Sequence, residues 1–464
     1  MNEGGNSVGL TSEAEMVRQN PGLPFLKMLS QPLVYGSLIP AVMALNAVAG
    51  LILPMLMSPE VFGEYALVVT LFQYGLIFDL GASQLADRFV PQLLGQSRAD
   101  DAEALGQRLL WFRLWVAVSS LAVSVGLLSL LALGGRLPFG FAVGVLSAIS
   151  GLAYMVALGP ACLFRARSAR RNYALSVSAL SFGLVAARLG GMAAGGLIGC
   201  FAALALWYLG FAALFHWKQP LVRALRPSFG AVLALAGRGL PLFLTSFAWA
   251  FYLTINRWVA STVAPAGEFG NFAFGTNILT LLVGSIGGFS AFYYPHFLEK
   301  IARHGAHSGS KTLAMTCGKL VAATALLVAG GIGMADLGVR WVYPAFTGAI
   351  PAARILLVAT PALALASWLM PISLSAGRRP WIDGVFIYPV AMGVLAFAIP
   401  PLYAHFGIDG AAAASAVSGV TLIAMQLCML VGERVLRLRA ALALLATTAA
   451  ATAAIGGLAW TFAS

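Results

Sequence analysis

Charged residues are scarce in this chain of 464 residues, of which only 9% are Asp, Glu, Lys or Arg. A soluble domain carries about 25%. Hydrophobic residues make up 60%, and the mean hydropathy is +0.88. Because so little polar surface is available to meet water, lipid is the expected solvent for most of the exterior. The apolar runs do not alternate as barrel strands do. The composition therefore predicts an all-α, polytopic integral membrane protein.

Motifs for catalysis and for cofactors are also missing. The sequence has no G-x-x-x-x-G-K-[ST] phosphate loop, and its histidines and four cysteines lack metal-ligand or disulfide spacing. The net charge of +12 lies in clusters between apolar runs, an arrangement typical of orientation signals and not of nucleic-acid binding. We therefore predict no enzyme, no metal, no cofactor and no nucleic-acid partner. Since no nucleotide motif is present, any energy source would be the membrane potential or a proton or sodium gradient.

Apolar runs of about 20 residues, enough to cross the hydrocarbon, occur thirteen times. The predicted spans lie near 33–57, 62–84, 109–134, 139–164, 173–190, 192–215, 239–260, 268–295, 313–335, 350–373, 382–403, 409–432 and 440–462. They divide the chain into a polar tail (1–30), a six-helix lobe (31–216), a linker (217–238), a second six-helix lobe (239–432) and a basic loop with a thirteenth helix (433–464). Within the linker, Phe229–Arg238 is predicted as a surface-lying helix.

The basic residues predict the orientation. With thirteen spans, 23 of the 28 Lys and Arg residues fall in one set of alternate loops. The positive-inside rule then places the N-terminus and the larger loops, near 85–108, 216–238 and 296–312, in the cytoplasm. We expect a multi-pass protein of the bacterial inner membrane.

A short repeat relates the two predicted lobes. Phe62-Gly63-Glu64-Tyr65-Ala66 opens the second span, and Phe269-Gly270-Asn271-Phe272-Ala273 opens the eighth, 207 residues later. Because six spans separate the copies, both lobes would face the same way, related by an axis along the membrane normal. This is how two-lobed transporters are built.

Ionisable residues inside the spans are the candidate functional groups, because they cost about 2.5–3.5 kcal/mol on insertion scales and usually face a cavity or a partner. Asp79 lies well within the second span, and we expect it to pair with Arg88 or Arg113 or to be a proton or cation site. The arginines within or beside the spans either extend from span ends to the lipid headgroups or line a cavity. They are Arg88, Arg113, Arg188 and Arg257. Cationic groups spread from the inner to the outer rim would suit an anionic substrate.

The second-span pattern, Phe62-Gly63-Glu64-Tyr65-Ala66 with Asp79-Leu80-Gly81 and Arg88, resembles that of the Wzx-type oligosaccharide-lipid flippases. These belong to the multidrug/oligosaccharidyl-lipid/polysaccharide (MOP) exporter superfamily. Gly239-Leu240-Pro241 at the seventh span is similar to the second lobe of that family. Asn256-Arg257 departs from it, since related sequences often have an acid at the position of the amide.

The resemblance implies a V of two six-helix lobes, plus one extra helix here, around a cationic cavity. It implies alternating-access transport of an undecaprenyl-diphosphate-linked oligosaccharide to the outer leaflet, for O-antigen, exopolysaccharide or capsule assembly. Arg88, Arg113 and Arg257 would then contact the diphosphate, and Asp79 would serve coupling or gating. Expected partners are the lipid-linked oligosaccharide, membrane lipids, a polysaccharide polymerase and chain-length proteins.

Three alternatives stay open. A multidrug or cation antiporter of the same superfamily should carry more acidic residues in its spans. A lipid II flippase has the same overall pattern. A glycan polymerase or ligase characteristically carries a large outer loop with catalytic residues, and the predicted outer loops are all short.

Overall fold

The structure is a computed structural model that describes residues 32–167, 169–218, 229–376 and 382–461. Within these ranges the chain is almost entirely helical and contains no strand. The helices are α1 (Pro32–Ile52), α2 (Pro59–Ile77), α3 (Ala82–Gly95), α4 (Ala99–Leu133), α5 (Phe141–Ala166), α6 (Arg170–Lys218), α7 (Phe229–Val263), α8 (Ala266–Val342), α9 (Ile350–Val358), α10 (Thr360–Ala376), α11 (Tyr388–Gly432) and α12 (Leu438–Thr461). Short 3₁₀ segments cover Leu53–Leu56 and Pro344–Ala349, and Asp383–Ile387 form a π-helical turn. The predicted all-α fold is confirmed.

Large apolar side chains cover the outside of the bundle. Leu133, Phe397 and Leu326 are among the most exposed residues, as expected where lipid is the solvent. Seven helices in the described ranges are long and apolar enough to cross a bilayer, and two bent helix pairs would raise this number to nine. The count of thirteen spans stays a prediction, since several long helices each carry two of them. The tail at 1–30 lies outside the described residues.

Two segments predicted as inner loops are helical, and their cytoplasmic position stays a prediction. The region near 85–108 is formed mostly by α3 and the start of α4, and 296–312 belongs to the continuous α8. In α3 the cause is amphipathicity: Leu85, Ala86 and Val90 are buried, while Asp87 and Arg88 point outward. In the linker, Phe229–Arg238 is helical as predicted, and Leu233–Pro241 is bent by 55° from Phe243–Val263.

The helices form two lobes. In the first lobe, α5 packs against α2, α4 and α6, and α1 packs against α6. In the second lobe, α8 packs against α9 and α10, and α7 packs against α11. The last helix, α12, lies on α8, α9 and α11. We call the surface where α2 and α3 meet α7 and α8 the seam.

The two copies of the sequence repeat contact each other across the seam. A Cβ atom on Gly63 would lie 2.9 Å from Cδ1 of Phe269, and one on Gly270 would lie 1.8 Å from the carbonyl oxygen of Pro59. Phe62 packs edge-on against Phe274, with ring centroids 6.1 Å apart. Glycine is therefore required in both copies for this close approach of the backbones.

Further contacts repeat at nearly the same spacing. The Glu64 carboxylate accepts a hydrogen bond from the Gly140 amide at 3.0 Å. Its counterpart, Asn271, lies against Gly348, where an added Cβ would meet the amide nitrogen at 2.8 Å. The helix α6 breaks at Gly196 and α11 at Gly407, both with φ 60° and ψ −143°. The two lobes are therefore structural repeats, as the sequence predicts.

Candidate functional site at the seam between the lobes

Asp79 lies in a helix break within the predicted second span over 62–84. Pro59–Gly95 is long and apolar enough to be one span, but two helices form it. α2 ends at Ile77, and α3 begins at Ala82. Leu80 and Gly81 between them have positive φ values of 48° and 85°. The Asp79 carboxylate accepts hydrogen bonds from the Gly81 amide (3.0 Å), the Ser83 amide (2.9 Å) and the Ser83 hydroxyl (2.5 Å). An aspartate that binds backbone donors in this way favours a turn and a new helix start.

Arg113 of α4 pairs with Asp79. One Nη donates to the Asp79 carboxylate at 2.8 Å and also to the Ser83 hydroxyl, and the other donates to the carbonyl of Met155 at 3.1 Å. Asp79 is 4% exposed and Arg113 is 3% exposed. The guanidinium therefore points inward and does not reach toward the headgroups. Of the two partners that the sequence offers for Asp79, the structure selects Arg113.

Arg257 of α7 is buried in a different way. It is 2% exposed, and its Nε and one Nη donate to the hydroxyls of Thr276 (3.2 Å) and Thr280 (3.4 Å) on α8. Those hydroxyls in turn donate to backbone carbonyls, so their lone pairs are free to face the guanidinium. Among the described residues no carboxylate forms an ion pair with Arg257, so its positive charge is not neutralised there.

Aromatic and hydroxyl groups join the lobes beside Arg257. The Tyr74 and Thr254 hydroxyls are 2.7 Å apart across the seam, and the indole nitrogen of Trp258 donates to the Tyr74 hydroxyl at 3.1 Å.

Arg88 is separate from this group. It lies exposed on α3, with its guanidinium carbon 5.7 Å from the centroid of the Phe89 ring. No contact within the described ranges joins it to Asp79, Arg113 or Arg257. The structure thus brings Asp79 and Arg113 together and leaves Arg88 and Arg257 apart from them.

Two further arginines have contacts that the sequence did not predict. Arg354 of α9 is buried and pairs with Asp336 of α8 at 2.5 Å. Sequence position alone placed Arg354 among the basic residues of the outer side. Arg188 of α6 is half-buried, with its guanidinium carbon 5.7 Å from the centroid of the Phe72 ring. In both cases the signal available was a basic residue within or beside an apolar run. No group of three or more metal-ligating side chains occurs in the part of the chain that the structure describes.

Comparison with known proteins shows which solved structures share this fold. No family model and no curated protein matches the chain. Solved structures do match, at 12–14% sequence identity over nearly the whole length. One of them is described as a transporter of the MOP superfamily, and the chain shares its fold.

Three of these structures illustrate the likeness. The lipid II flippase MurJ in an inward closed conformation has a TM-score of 0.62 and 12% identity, covering 90% of each chain. An inward-facing multidrug resistance MATE family transporter has a TM-score of 0.59 and 14% identity, covering 89% of this chain and 96% of its own. A eukaryotic MATE transporter has a TM-score of 0.55 and 13% identity, covering 93% and 98%. At these identities the likeness shows the fold.

Proposed function

We propose that this protein transports an undecaprenyl-diphosphate-linked oligosaccharide from the cytoplasmic to the outer leaflet of the bacterial inner membrane by alternating access. The observation that carries the proposal is Arg257, a buried guanidinium beside the seam whose only described hydrogen-bond partners are two neutral hydroxyls. A planar guanidinium with free donors matches phosphate oxygens. The fold shared with a lipid II flippase and MATE transporters supports movement of a substrate between lobes.

The other candidate residues divide by role. Arg113 is held by Asp79, so this pair is proposed to fix the α2–α3 break and to act in gating through it. Arg88 is exposed on α3, where a positive charge would attract an anionic headgroup before it enters the seam. With the cell interior negative, outward movement of each negative charge is favoured by about 2.3 kcal/mol per 100 mV. We therefore propose that the membrane potential drives the outward movement of the substrate.

A lipid II flippase is the second candidate, because its substrate carries the same diphosphate and Arg257 would serve it equally. A cation antiporter is less well supported. Asp79 is the one acidic side chain among the fully buried polar residues that the structure describes, and it is already neutralised by Arg113. A polymerase or ligase would need a catalytic loop, yet the connections at 134–140 and 264–265, on the predicted outer side, are very short.

The test is a leaflet-accessibility assay in proteoliposomes. Fluorescent undecaprenyl-diphosphate oligosaccharide, lipid II and a cationic drug would be supplied in parallel, with and without an imposed potential. We expect potential-dependent movement of the oligosaccharide, lost in Arg257→Gln and kept in Arg340→Gln, which removes an exposed arginine. Movement of lipid II alone would select the second candidate. Movement of the drug alone, or full activity of Arg257→Gln, would contradict the proposal.

A further inference from the structure

A row of aromatic side chains follows the face of α7 that meets α2 at the seam. Phe243, Phe247 and Phe251 lie four residues apart, so they share one face of the helix. The Tyr74 ring of α2 packs against Phe247 and Phe251, with ring centroids 5.7 and 5.6 Å apart. Phe78 packs edge-on against Phe243 at 5.2 Å. The second lobe therefore presents an aromatic surface to the first.

The rings around Tyr74 differ from the aromatic core of the first lobe. Phe72 and Tyr208 in that core are 1% and 0% exposed. Tyr74, Phe247 and Phe251 are half-buried, so each keeps part of its surface accessible although the lobes are in contact. Partly accessible aromatic rings with a few polar groups beside them are typical of ligand-binding surfaces. This part of the seam has that character.

Two polar groups of α7 bind the Tyr74 hydroxyl in a defined direction. The Thr254 hydroxyl donates its single proton to the carbonyl of Ala250 (2.9 Å) or of Phe251 (3.1 Å). Its oxygen lies 2.7 Å from the Tyr74 hydroxyl and therefore accepts the Tyr74 proton. The indole N–H of Trp258 can only donate, and it donates to the Tyr74 oxygen at 3.1 Å. The phenol thus accepts one hydrogen bond and donates another.

This direction determines which chemical group can replace the phenol. Separation of the lobes would leave the Trp258 indole without its acceptor and the Thr254 oxygen without its donor. A hydroxyl group supplies both at one atom. An ionised diphosphate only accepts and an ammonium group only donates, so neither matches both partners. Water matches both but leaves the aromatic rings uncovered, whereas a sugar unit carries hydroxyls and also an apolar C–H face.

We propose that four residues of α7 form a sugar-binding surface for the oligosaccharide of the transported lipid, and that Tyr74 occupies it while the lobes are in contact. These residues, the glycan surface, are Phe247, Phe251, Thr254 and Trp258. The Tyr74 ring lies against the two phenylalanines and its hydroxyl bridges the two polar groups, as a hydroxylated sugar ring would. The inference rests on the proposed function, since it assigns the sugar portion of that substrate while Arg257 binds the diphosphate.

Equilibrium binding to the purified full-length protein in detergent tests the glycan surface. The probes are undecaprenyl diphosphate alone and the same lipid bearing one glucose, galactose or N-acetylglucosamine unit. We expect the sugar to raise the affinity about tenfold, and Trp258→Phe and Thr254→Val each to lose most of that rise. Tyr74→Phe should instead raise the affinity for the sugar-bearing lipids about two- to fivefold, because it removes the hydroxyl that competes with the sugar.

The opposite signs separate a binding role from a structural one. If these side chains only held the lobes together, Tyr74→Phe, Thr254→Val and Trp258→Phe would change binding in the same direction and for all lipids alike. Trp341→Phe and Thr447→Val remove a matching indole and hydroxyl at exposed positions and should bind as the wild type does. Thr254→Val decides the test if Trp258→Phe does not fold.

A further variant distinguishes this inference from the proposed function. Arg257→Gln should weaken binding of every lipid and leave the ratio between sugar-bearing and sugar-free lipids unchanged. Equal affinity of the wild type for both kinds of lipid would overturn the glycan surface and leave the diphosphate site standing. A rise that persists in Thr254→Val and Trp258→Phe would place the sugar elsewhere and also overturn it. Failure of every lipid to bind would contradict the proposed function and this inference together.

Discussion

Arg113 and Arg257 are equally buried, yet their surroundings differ. Arg113 lies against Asp79, so the pair is neutral and fixes the break between α2 and α3. Arg257 lies against threonine hydroxyls, so its charge remains available beside the seam. Burial of a charged residue within a membrane is therefore not sufficient to mark a binding site. The partner decides whether such a residue holds the fold or is free for a ligand.

Removing one member of the Asp79–Arg113 pair should have the largest effect. Asp79→Leu leaves Arg113 buried without a counter-charge, so we expect a loss of about 3–5 kcal/mol in the free energy of unfolding. The double variant Asp79→Leu/Arg113→Met removes both charges and should recover most of that loss. Denaturant unfolding of the detergent-solubilised protein measures the cycle. Additive losses in the two single variants would show that the pair is not coupled.

Disturbing the contact between Gly270 and Pro59 across the seam should have the next largest effect. Gly270→Ala places a Cβ against the Pro59 carbonyl. It should destabilise the arrangement in which the two lobes are in contact by about 1–3 kcal/mol. Gly330→Ala, on the same helix with nothing near its Cβ, is the control. Spin labels at positions 61 and 266, with the exposed Cys428 replaced by Ser, should report a longer distance in Gly270→Ala only. An unchanged distance would show that this contact does not hold the seam closed.

Arg257→Gln should separate binding from stability. The change removes an unpaired buried charge, so Tm should stay the same or rise. Affinity for an undecaprenyl-diphosphate oligosaccharide should fall about 10- to 100-fold, the loss of a charged hydrogen bond. Calorimetric titration and thermal unfolding give the two values. A large drop in Tm with unchanged affinity would make Arg257 a structural residue like Arg113.

Arg88→Ala should have the smallest effect. Because Arg88 is exposed on α3, we expect the association rate to fall about two- to fivefold at low salt and the dissociation rate to stay the same. Stopped-flow binding at two salt concentrations measures both rates. Arg98→Ala is the matched control, since Arg98 is also exposed and pairs locally with Asp101. If both substitutions had the same effect, the attraction of the anionic headgroup would depend on net charge and not on Arg88 in particular.

Composition and helix-length apolar runs were sufficient to predict the all-α membrane fold. The repeat at Phe62 and Phe269 also predicted the relation between the lobes. It could not show that its two copies touch, since close approach of Gly63 and Gly270 depends on how the lobes dock. The helix break at Asp79 had a local signal in Asp79-Leu80-Gly81, where a capping carboxylate precedes a left-handed glycine. The sequence-based prediction identified the span over 62–84 from its hydrophobicity, which does not reveal such a break.

The arginines show the limit of sequence reasoning most clearly. Their positions within apolar runs identified Arg113, Arg188 and Arg257 as ionisable groups at membrane depth. Whether each arginine has a counter-charge depends on its neighbours in three dimensions. The carboxylate that pairs with Arg113 lies 34 positions away in the sequence, and Arg257 has no carboxylate partner among the described residues. The linear sequence reveals neither fact. Asp79 offered two possible partners, and only the packing of α4 against α3 and α5 brings Arg113 to it.

The contact of Gly63 with Gly270 has a consequence for symmetry. Equivalent positions of two repeats that touch lie close to the axis relating them, which is the geometry of a self-complementary homodimer. The seam therefore resembles an interface between two copies of one lobe. Its two sides nevertheless differ, since Glu64 accepts a hydrogen bond from Gly140 where its counterpart Asn271 lies against Gly348. Two identical subunits would have to present the same residue on both sides.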